Sequence, residues 1–426
     1  MQSLKKTIAI GLIGNILEWY DFTVYGYMAA VIAPLFFPSD SPTISLISIF
    51  AVFAVGFIMR PLGAMFFGSL GDRLGRKQAL LISIMLISIP TVVMGLLPVY
   101  SKVGLLAPLT LILCRLAQGL SVGGEYTSAI LYLTEHAPAN RKGFAGSFVL
   151  VGAGAGWLLG SFVASVTVNY FPEPALVAGA WRIPFILGGA AALFGLIVRS
   201  SSQETAPYID MQKSGEKSEN PIREVFASQK ASLISMIGFN LLSTVAGYLI
   251  YAYMPTYLSQ ETGLPLSEAL MLNTFMLMIF IGIVPVVGFL SDIIDRTKLM
   301  LVGALGFIVL SYPLFSLLLT GKLSAVIPAL LIMTALIAIY HAPLPTLMAE
   351  FFPVRTRASS VGIAYNFAAS VFSGTCPLMC TLLIKMTGSP LSPGIYLIIV
   401  GTISFASILI VRESQKKNLR LIYRGF

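Results

Sequence analysis

The sequence predicts an all-α polytopic membrane protein, built from twelve transmembrane helices in two pseudo-symmetric six-helix bundles. Three observations support this fold class: the composition, the number of long apolar runs, and a repeat between the two halves of the chain. Of the 426 residues, 57% are hydrophobic and 11% are charged, whereas soluble domains carry roughly 25% charged residues. This excludes a soluble multidomain protein, which needs more charges on its surface, and a disordered chain, which contains far fewer aliphatic residues.

Twelve apolar runs reach the length of about 20 residues that a membrane-spanning helix needs. They cover approximately 8–33, 46–69, 79–98, 106–134, 144–170, 181–199, 231–257, 267–289, 299–319, 325–348, 358–385 and 394–411. The polar stretch 200–230 divides them six and six. We therefore expect an N-terminal bundle (1–199), a cytoplasmic connecting loop (200–230) and a C-terminal bundle with a short cytoplasmic tail (231–426).

Lysine and arginine residues are distributed unevenly among the loops. With both termini in the cytoplasm, 21 of the 27 Lys and Arg residues fall in cytoplasmic loops, whereas four (Lys102, Arg182, Lys322 and Lys385) fall on the other side. Because basic loop residues favour the cytoplasmic side, we expect a multi-pass protein of the inner membrane with both termini inside. The same distribution accounts for the net charge of +9 without a nucleic-acid partner.

Two short polar loops of the N-terminal half recur in the C-terminal half. Residues 68–77 place Gly, Asp and Arg at spacings that recur in residues 288–298, at an offset of 220 positions. Residues 135–141 contain Glu, Pro and Arg, as do residues 350–355. Parallel six-helix repeats are typical of secondary transporters that bind a solute near the bilayer midplane and rock one bundle against the other.

Two of these segments resemble known signatures. Residues 68–77 resemble the cytoplasmic loop signature of the major facilitator superfamily, and residues 115–119 resemble its second signature, an Arg followed by Gln-Gly. More narrowly, the chain resembles the metabolite:proton symporter family over essentially its whole length. The segments that carry this narrower resemblance are Gly14–Phe22, Phe57–Gly63, Gln118–Tyr126, Trp181–Phe185 and Phe372–Pro377.

The resemblance implies the major facilitator fold and proton-coupled symport of a small carboxylate-bearing metabolite. Members of the family carry citrate, 2-oxoglutarate, shikimate, proline or glycine betaine. Osmosensing is not implied, because the 15 residues after Val411 lack the heptads of the coiled coil found in osmosensing betaine carriers. The fifth run also lacks the Gly-Pro that is typical of drug:proton antiporters.

Two acidic residues of the first run are candidates for proton coupling. Ionisable side chains at membrane depth cost about 2.5–3.5 kcal/mol each, so those that are retained need partners or a function. Glu18 and Asp21 are three residues apart, which predicts that both carboxyl groups lie on one helix face, with Tyr25 one turn beyond. Two neighbouring carboxylates in a low dielectric are not easily charged together. The alternative is a static ion pair with Arg60 or Arg115.

Buried arginines are candidates for binding the solute. Arg115 lies in the outer half of the fourth run, and Glu125 lies ten residues nearer the cytoplasm. A guanidinium can bind both oxygens of a carboxylate, so we expect Arg115 and Glu125 to bind solute or to couple it to protons; the alternative is a helix-packing salt bridge. Arg60 is a further candidate, although it lies close enough to the cytoplasmic end to extend toward water. Two cations at depth favour a monocarboxylate or zwitterion such as proline or betaine, with citrate or 2-oxoglutarate as the alternative.

The polar loops supply candidates for gating. Asp72 follows the second run, where it can accept bonds from a helix N-terminus or pair with a base such as Arg141. We expect such latches to stabilise the outward-facing state and to break on inward opening; the alternative is that these charges set topology alone. The gating candidates are Gly68, Asp72, Arg73, Gly75, Arg76, Glu135, Arg141, Asp292, Arg296, Glu350 and Arg355, with Glu135–Arg141, Asp292–Arg296 and Glu350–Arg355 as related latches.

Other residues at depth have simpler interpretations. The glycines between 152 and 160 indicate close helix packing. His341 is interpreted as a packing residue, with a proton relay as the alternative. Trp19, Tyr20 and Tyr25 could form an aromatic cage for a quaternary ammonium, or could simply pack.

The sequence does not indicate an enzyme. It has two histidines and three cysteines, without metal-ligand spacing or a Walker loop. We expect no enzyme activity and no cofactor, with the proton gradient as the driving force. The expected partners are a small-molecule substrate, protons and the lipid bilayer, and we expect a monomer. A membrane-embedded enzyme and a non-transporting sensor are the alternatives from other classes.

Overall fold

The structure is a computed structural model, and it describes residues 4–74, 76–123, 125–135, 137–200, 225–227, 229–352 and 357–423. For parts of these ranges, among them 4–11, 68–74, 76–81, 125, 135, 194–200 and 414–423, the description is of the backbone alone. Most of the predicted connecting loop, together with Gly75 and Arg355, lies outside the described residues.

In the described part of the N-terminal half, six long helices coincide with the predicted runs. Three of them are interrupted and are each given one label. The bounds are α1 (Leu4–Tyr27 and Ala29–Phe36), α2 (Pro42–Ile58 and Arg60–Leu74), α3 (Arg76–Leu96), α4 (Leu106–Val122 and Glu125–Glu135), α5 (Lys142–Tyr170) and α6 (Ile183–Ser200). Short helices at Tyr100–Val103 and Glu173–Ala178 lie in the connections.

The described C-terminal half also contains six long helices. Two include a π-helical turn, and α10 is interrupted next to Pro343, where the proline nitrogen cannot donate a helical hydrogen bond. The bounds are α7 (Lys230–Tyr248, π-turn Leu249–Tyr253, Met254–Thr262), α8 (Leu266–Ile293), α9 (Arg296–Leu318), α10 (Leu323–His341 and Leu344–Phe351), α11 (Arg357–Ala368, π-turn Ala369–Ser373, Cys376–Thr387) and α12 (Ser392–Tyr423).

The helices are suited to a bilayer in length and composition. Among the described residues, eight helical stretches are long and apolar enough to cross a membrane, and shorter apolar helices at Met85–Leu96 and Leu106–Val122 belong to α3 and α4. Large apolar side chains such as Leu113 and Ile410 point outward and are more than half exposed. Helices satisfy their backbone polar groups internally, as the lipid environment requires. The predicted all-α membrane fold is confirmed.

Helix packing brings the two halves together along their length. In the N-terminal half α1 packs against α5 and α6, α3 against α4 and α6, and α2 against α4. In the C-terminal half α9 packs against α10 and α12, and α7 against α11 and α12. Across the halves, α5 packs along α8 and α2 packs against α11. The contact between the halves is therefore formed chiefly by α5 with α8 and by α2 with α11, with a smaller contribution from α1 and the π-turn of α7.

Glycines allow three of these contacts. A Cβ on Gly119 would lie 1.6 Å from the carbonyl oxygen of Gly56, so α4 approaches α2 only because position 119 has no side chain. The glycines of α5 face neighbouring helices as predicted: a Cβ on Gly154 would lie 3.0 Å from Ile281 of α8, and one on Gly156 would lie 2.5 Å from the carbonyl oxygen of Ile16 in α1. The backbone contacts position the polar residues of α1 and α4 described below.

Candidate transport site

The two acidic residues of α1 are both buried but have different neighbours. Glu18 lies within electrostatic range of Tyr248 in α7 and Tyr365 in α11, both in the C-terminal half. Asp21 lies beside Thr91 of α3 and within electrostatic range of Arg115 in α4, both in the N-terminal half. The exposed fractions are 3% for Glu18 and 2% for Asp21. The expected common environment of the two carboxyl groups is therefore not observed.

Arg115 is enclosed within the N-terminal half. Its guanidinium carbon lies 3.8 Å from the centre of the Tyr25 ring, close enough for a cation–π contact. The Tyr25 hydroxyl donates to the carbonyl oxygen of Ile49 at 2.9 Å, which fixes that ring. Gln118, one turn along α4, donates to the hydroxyl of Thr91 at 2.7 Å. Among the residues that the structure describes, the side-chain nitrogens of Arg115 find no hydrogen-bond partner, and Thr91 is close enough to interact with the Asp21 carboxyl group.

Arg60 is the second buried arginine, and it lies nearer the C-terminal half. It is completely buried, so the interpretation that its side chain extends toward cytoplasmic water is wrong. Its guanidinium carbon lies 4.8 Å from the Phe57 ring, 5.3 Å from the Phe22 ring and 5.5 Å from the Trp19 ring. Within the described part of the chain, no acceptor has strict hydrogen-bond geometry with its three nitrogens, although the Tyr365 hydroxyl is close enough to interact with them.

Three aromatic rings meet between the halves beside Arg60. Trp19 of α1 and Trp157 of α5 have ring centres 5.5 Å apart, and Tyr248 of α7 lies 6.4 Å from Trp19 and 5.7 Å from Trp157. We call these residues the three-ring cluster. Tyr126 of α4 and Tyr365 of α11 stack next to it, with centres 4.7 Å apart. Thus both halves contribute rings to the mid-membrane contact.

The predicted cage of Trp19, Tyr20 and Tyr25 is not formed. The Tyr20 hydroxyl donates to the carbonyl oxygen of Pro184 at 2.9 Å, and Tyr25 lies under Arg115, so both side chains point into the N-terminal half. The residues that join Trp19 instead, Trp157 and Tyr248, were not among the sequence candidates. The glycines around Trp157 could have indicated its position, since they predicted that α5 packs closely against a neighbouring helix.

Glu125 and His341 are two further residues that we expected at membrane depth, and the structure describes the side chain of only the second. Glu125 begins the second part of α4, but its side chain lies outside the described residues, so its predicted role stays a prediction. His341 of α10 is 7% exposed, and its Nδ1 has no hydrogen-bond partner among the described residues. Its Cε1 lies 3.3 Å from the position of a Cβ on Gly247, and a ring atom of Trp157 lies 3.6 Å from the same position. His341 therefore borders the C-terminal side of the three-ring cluster.

A charged network connects the halves at the end of the molecule that the distribution of basic residues predicts to face the cytoplasm, which we call the cytoplasmic end. Asp292 of α8 accepts hydrogen bonds from the backbone N–H groups of Gly143 at 2.7 Å and Phe144 at 2.9 Å, at the N-terminus of α5. Arg296 lies 3.3 Å from Asp292 and 2.9 Å from Glu350. The expected Asp292–Arg296 pair is thus present, and α5 supplies amide groups that the sequence did not indicate.

The remaining gating candidates are only partly described. Lys142 lies 4.0 Å from Glu350, a partner that the sequence did not predict, whereas the predicted partner Arg355 lies outside the described residues. Arg141 is exposed, and the side chain of Glu135 is not described. Gly68, Asp72, Arg73 and Arg76 belong to α2 and α3 by their backbone alone, and Gly75 lies outside the described residues. Their roles stay predictions.

Hydrogen bonds also connect the halves at the opposite end, which we call the outer end. The Ser161 hydroxyl of α5 lies 2.9 Å from the Thr274 hydroxyl of α8 and donates to the Leu270 carbonyl oxygen at 3.2 Å. Asn273 donates to Ser161 and to the carbonyl oxygen of Tyr251 in the π-turn of α7, both at 3.1 Å. The halves are therefore in contact on both sides of the three-ring cluster.

One segment bears on the enzyme alternative. Gly119 to Gly123 has the Gly-x-Ser-x-Gly spacing of a hydrolase nucleophile turn. In the structure this segment lies in α4 as far as Val122, whereas that chemistry needs a sharp strand-to-helix turn. The segment therefore contributes to helix packing rather than to nucleophilic catalysis.

Comparison with known proteins identifies relatives that are all membrane transporters. The sequence matches the Major Facilitator Superfamily over residues 11–377. The proline/betaine transporter of Escherichia coli strain K12 is 30% identical over 426 residues, covering 98% of this chain and 85% of the relative. The glycine betaine/proline/ectoine/pipecolic acid transporter of Dickeya dadantii strain 3937 is 31% identical over the same shares. The putative proline/betaine transporter of Staphylococcus aureus strain COL is 33% identical, covering 98% of this chain and 91% of the relative.

Solved structures show the same fold at lower identity. A crystal structure of the D-xylose-proton symporter superimposes with a TM-score of 0.75 and 19% identity, covering 95% of this chain and 96% of that one. A partially occluded inward-open xylose transporter from E. coli gives a TM-score of 0.74 with 18% identity, over 95% of this chain and 98% of that one. The relatives are transporters, which confirms that the chain is not an enzyme. The chain therefore belongs to the major facilitator superfamily, and it is a multi-span membrane transporter related to the proline/betaine transporters.

Proposed function

We propose that the protein is a proton-coupled symporter that takes up a small carboxylate-bearing zwitterion, such as proline or betaine, across the inner membrane. The solutes after which the relatives are named support the solute class. The distribution of basic residues supports cytoplasmic termini. In this proposal the proton gradient drives uptake without a cofactor, and one chain is the functional unit.

The observation that carries this proposal is that the two buried arginines both lie next to one aromatic ring. The centre of the Phe22 ring lies 5.4 Å from the guanidinium carbon of Arg115 and 5.3 Å from that of Arg60. Arg115 faces Asp21 within the N-terminal half, whereas Arg60 faces rings at the contact between the halves. The two polar sites are thus neighbours but have separate partners.

Asp21 and Arg115 form the proton-coupling pair in this proposal. Both are buried, and an isolated buried charge is costly unless it has a counter-charge or is neutralised. Asp21 can meet this requirement either with the Arg115 guanidinium or with a proton. Protonation of Asp21 therefore frees Arg115, and the change is transmitted through α1, which carries Asp21, Phe22 and Trp19.

Arg60 and the three-ring cluster form the solute site. The guanidinium provides paired donors that match a carboxylate. Trp19 of α1 lies 5.5 Å from Arg60 and packs against Trp157 of α5 and Tyr248 of α7, so a solute bound beside Trp19 is expected to contact both halves. A site shared by the halves near the bilayer midplane is what alternating access by rocking requires.

Reconstituted transport tests the proton assignment. A gradient of about one pH unit corresponds to about 1.4 kcal/mol, or about tenfold accumulation at one proton per solute. We expect proteoliposomes with wild-type protein to accumulate labelled proline or betaine under an imposed gradient. Asp21→Asn is expected to lose this accumulation and to retain solute counterflow, because the solute site is intact.

Glu18→Gln is the matched control, since it removes the neighbouring carboxylate of α1. We expect it to alter solute affinity and to keep dependence on the gradient. Wild-type uptake that does not depend on the pH gradient would overturn the proposal of proton coupling. Gradient-driven accumulation by Asp21→Asn, together with its loss in Glu18→Gln, would transfer the proton site to Glu18.

A di- or tricarboxylate such as 2-oxoglutarate or citrate is the second candidate solute. The presence of two buried guanidinium groups favours it, because each could bind one carboxylate. The pairing of Arg115 with Asp21 favours the zwitterion instead. Competition of unlabelled citrate and 2-oxoglutarate against labelled proline and betaine distinguishes the two candidates.

A further inference from the structure

A buried contact between α4 and α11 joins the two halves at the level of Arg60. The Asn366 side chain of α11 donates to the carbonyl oxygen of Gly123 at 2.7 Å, at the point where α4 is interrupted. A Cβ on Gly123 would lie 2.3 Å from the carbonyl oxygen of Arg60, so the backbones of α4 and α2 are in contact there. Helices α2, α4 and α11 therefore meet around the residue that carries the proposed solute-binding guanidinium.

Two stacked tyrosines lie on the cytoplasmic side of this junction. Tyr126 follows Gly123 by three residues, which is about 4.5 Å nearer the cytoplasmic end of α4, and Tyr365 precedes Asn366 in α11. The ring centres are 4.7 Å apart and the ring planes are 26° from parallel. Both side chains are buried. The stack therefore lies between the solute site and the cytoplasm, with one ring from each half.

Tyr365 also reaches Arg60 from the C-terminal half. Its hydroxyl is close enough to interact with the Arg60 guanidinium, and α2 packs against α11. A phenol oxygen can accept a hydrogen bond, whereas a guanidinium can only donate. The chain itself thus supplies an acceptor for Arg60, and a solute carboxylate must compete with this acceptor. The carboxylate is the stronger of the two because it is charged.

We propose that Tyr365 is a positioning residue that holds Arg60 in the solute-free protein and gives it up to the solute carboxylate. The exchange removes a link between α2 and α11 and so weakens the contact of α11 with α4. A bound solute thus favours the state in which α11 has moved away, because it binds Arg60 better in that state. This inference rests on the proposed function, and it adds how solute binding is communicated to the cytoplasmic side.

Tyr365→Phe separates the hydroxyl from the ring. The variant keeps the stack on Tyr126 and removes the competing acceptor, so we expect the purified protein to bind labelled proline or betaine about tenfold more tightly than wild type. Loss of a merely structural side chain would weaken binding instead. Equal or weaker binding by Tyr365→Phe would overturn the inference.

Tyr340→Phe is the matched control for this measurement. The Tyr340 hydroxyl is also buried, but it donates to the carbonyl oxygen of Phe239 at 2.5 Å, within the C-terminal half. The substitution therefore removes a hydroxyl of the same kind without freeing Arg60. We expect this variant to bind proline and betaine as wild type does. Tighter binding by Tyr340→Phe as well would overturn the assignment to Tyr365.

Cysteine labelling of α11 measures the release of the contact. Val361 is completely buried, and it lies one helical turn from Tyr365 on the same face. In a background with Cys114, Cys376 and Cys380 replaced by alanine, inverted membrane vesicles expose the cytoplasmic side to an impermeant maleimide. Proline or betaine is expected to speed the labelling of Val361→Cys about tenfold. A rate that these solutes leave unchanged or slow would overturn the inference, even if Tyr365→Phe fails to fold.

Two further variants show whether Tyr365 carries this response. Tyr365→Phe is expected to label at the faster rate without solute, and solute should then add little. Asn366→Ala removes the bond to Gly123 and keeps Tyr365, so we expect faster labelling without solute and a further increase when solute is added. If Asn366→Ala abolishes the solute dependence as Tyr365→Phe does, any loosening of the α4–α11 contact has this effect and the role of Tyr365 is contradicted.

The outcomes distinguish this inference from the proposed function. Absence of gradient-driven uptake of proline and betaine by wild-type protein would remove the proposed function itself. Gradient-driven uptake, combined with solute binding that Tyr365→Phe leaves unchanged or weakens, would remove only the inference.

Discussion

Arg115 and Asp21 are enclosed together within the N-terminal half, so removal of one leaves the other buried without its counter-charge. Breaking a hydrogen-bonded buried pair costs about 3–5 kcal/mol, and we expect a smaller loss here because Arg115 and Asp21 interact without a direct hydrogen bond. We predict that Arg115→Gln lowers the thermal unfolding temperature of the protein in detergent. Adding Asp21→Asn to that variant is predicted to recover much of the loss, because the uncompensated carboxylate is removed. If the two substitutions lower the unfolding temperature additively in the double variant, the pairing of Arg115 with Asp21 is contradicted.

Arg182 provides a control for this experiment. Its side chain donates to the carbonyl oxygen of Leu97 at 3.0 Å and lies over the Trp181 ring, 4.4 Å from the ring centre. Arg182→Gln removes an arginine of the same half without leaving a buried carboxylate unpaired. We expect its effect to be smaller and unchanged by Asp21→Asn.

At the scale of residues, the sequence indicated which groups lie at depth but not which groups they meet. Glu18 and Asp21 are three residues apart, and a helix of 3.6 residues per turn rotates them by about 60° relative to each other. That rotation is enough for one to face α7 and α11 while the other faces α3 and α4. Trp157 and Tyr248 were missed because they join Trp19 from helices distant in sequence, and helical spacing within one run carries no information about such partners.

The start of α5 is the element on which the cytoplasmic contact depends. Its first N–H groups have no partner within the helix, and the Asp292 carboxylate accepts two of them. We predict that Asp292→Asn weakens this contact and increases the population of the inward-open state. Hydrogen bonds to charged groups contribute about 1.5–3 kcal/mol, so a shift of about tenfold or more is expected.

Cysteine labelling measures that shift. Ser147 is completely buried where α5 meets α8, and the native cysteines Cys114, Cys376 and Cys380 can be replaced by alanine. In this background, Ser147→Cys is expected to react faster with a membrane-impermeant maleimide from the cytoplasmic side when Asp292→Asn is present. An unchanged labelling rate would show that Asp292 does not hold the halves together.

Asp295 is the matched control, because it is an acid only three residues from Asp292 that acts on its own helix, α9. Its side chain caps α9 by accepting from the backbone N–H of Lys298 at 3.0 Å, and the Thr297 hydroxyl also donates to it. Partial burial acts to raise the pKa of Asp295, but these hydrogen bonds outweigh it and hold the pKa below its usual value. Asp295→Asn is therefore expected to leave the labelling of residue 147 unchanged.

At the scale of elements, hydropathy predicted the helices well because lipid requires long apolar helices with internal hydrogen bonds. It did not predict where they are interrupted. The π-turn of α7 coincides with a contact from outside the helix, since Asn273 of α8 donates to the Tyr251 carbonyl oxygen within it. Such a contact depends on tertiary packing, so a local apolar pattern could not reveal it.

Over the whole molecule, the halves meet at both ends in the same structure. The cytoplasmic end has the Asp292 contacts with α5, and the Thr346 hydroxyl of α10 donates to the Lys142 carbonyl oxygen at 2.9 Å. The outer end has the contacts of Ser161 with Leu270 and Thr274. Alternating access requires that each end open in turn, so each set of contacts must break once in a transport cycle.

A disulfide across the outer end tests whether that opening is obligatory. The hydroxyl oxygens of Ser161 and Thr274 lie 2.9 Å apart, which is compatible with the Cβ separation of about 3.5–4.5 Å in a disulfide. We predict that Ser161→Cys combined with Thr274→Cys, in the background without native cysteines, loses uptake on oxidation and regains it on reduction. Uptake by each single cysteine variant should be unaffected by oxidant, which would exclude oxidative damage at other sites as the cause of the loss. Oxidised protein that is cross-linked yet still accumulates solute would mean that α5 and α8 need not separate, and the halves could not then be rocking about the three-ring cluster.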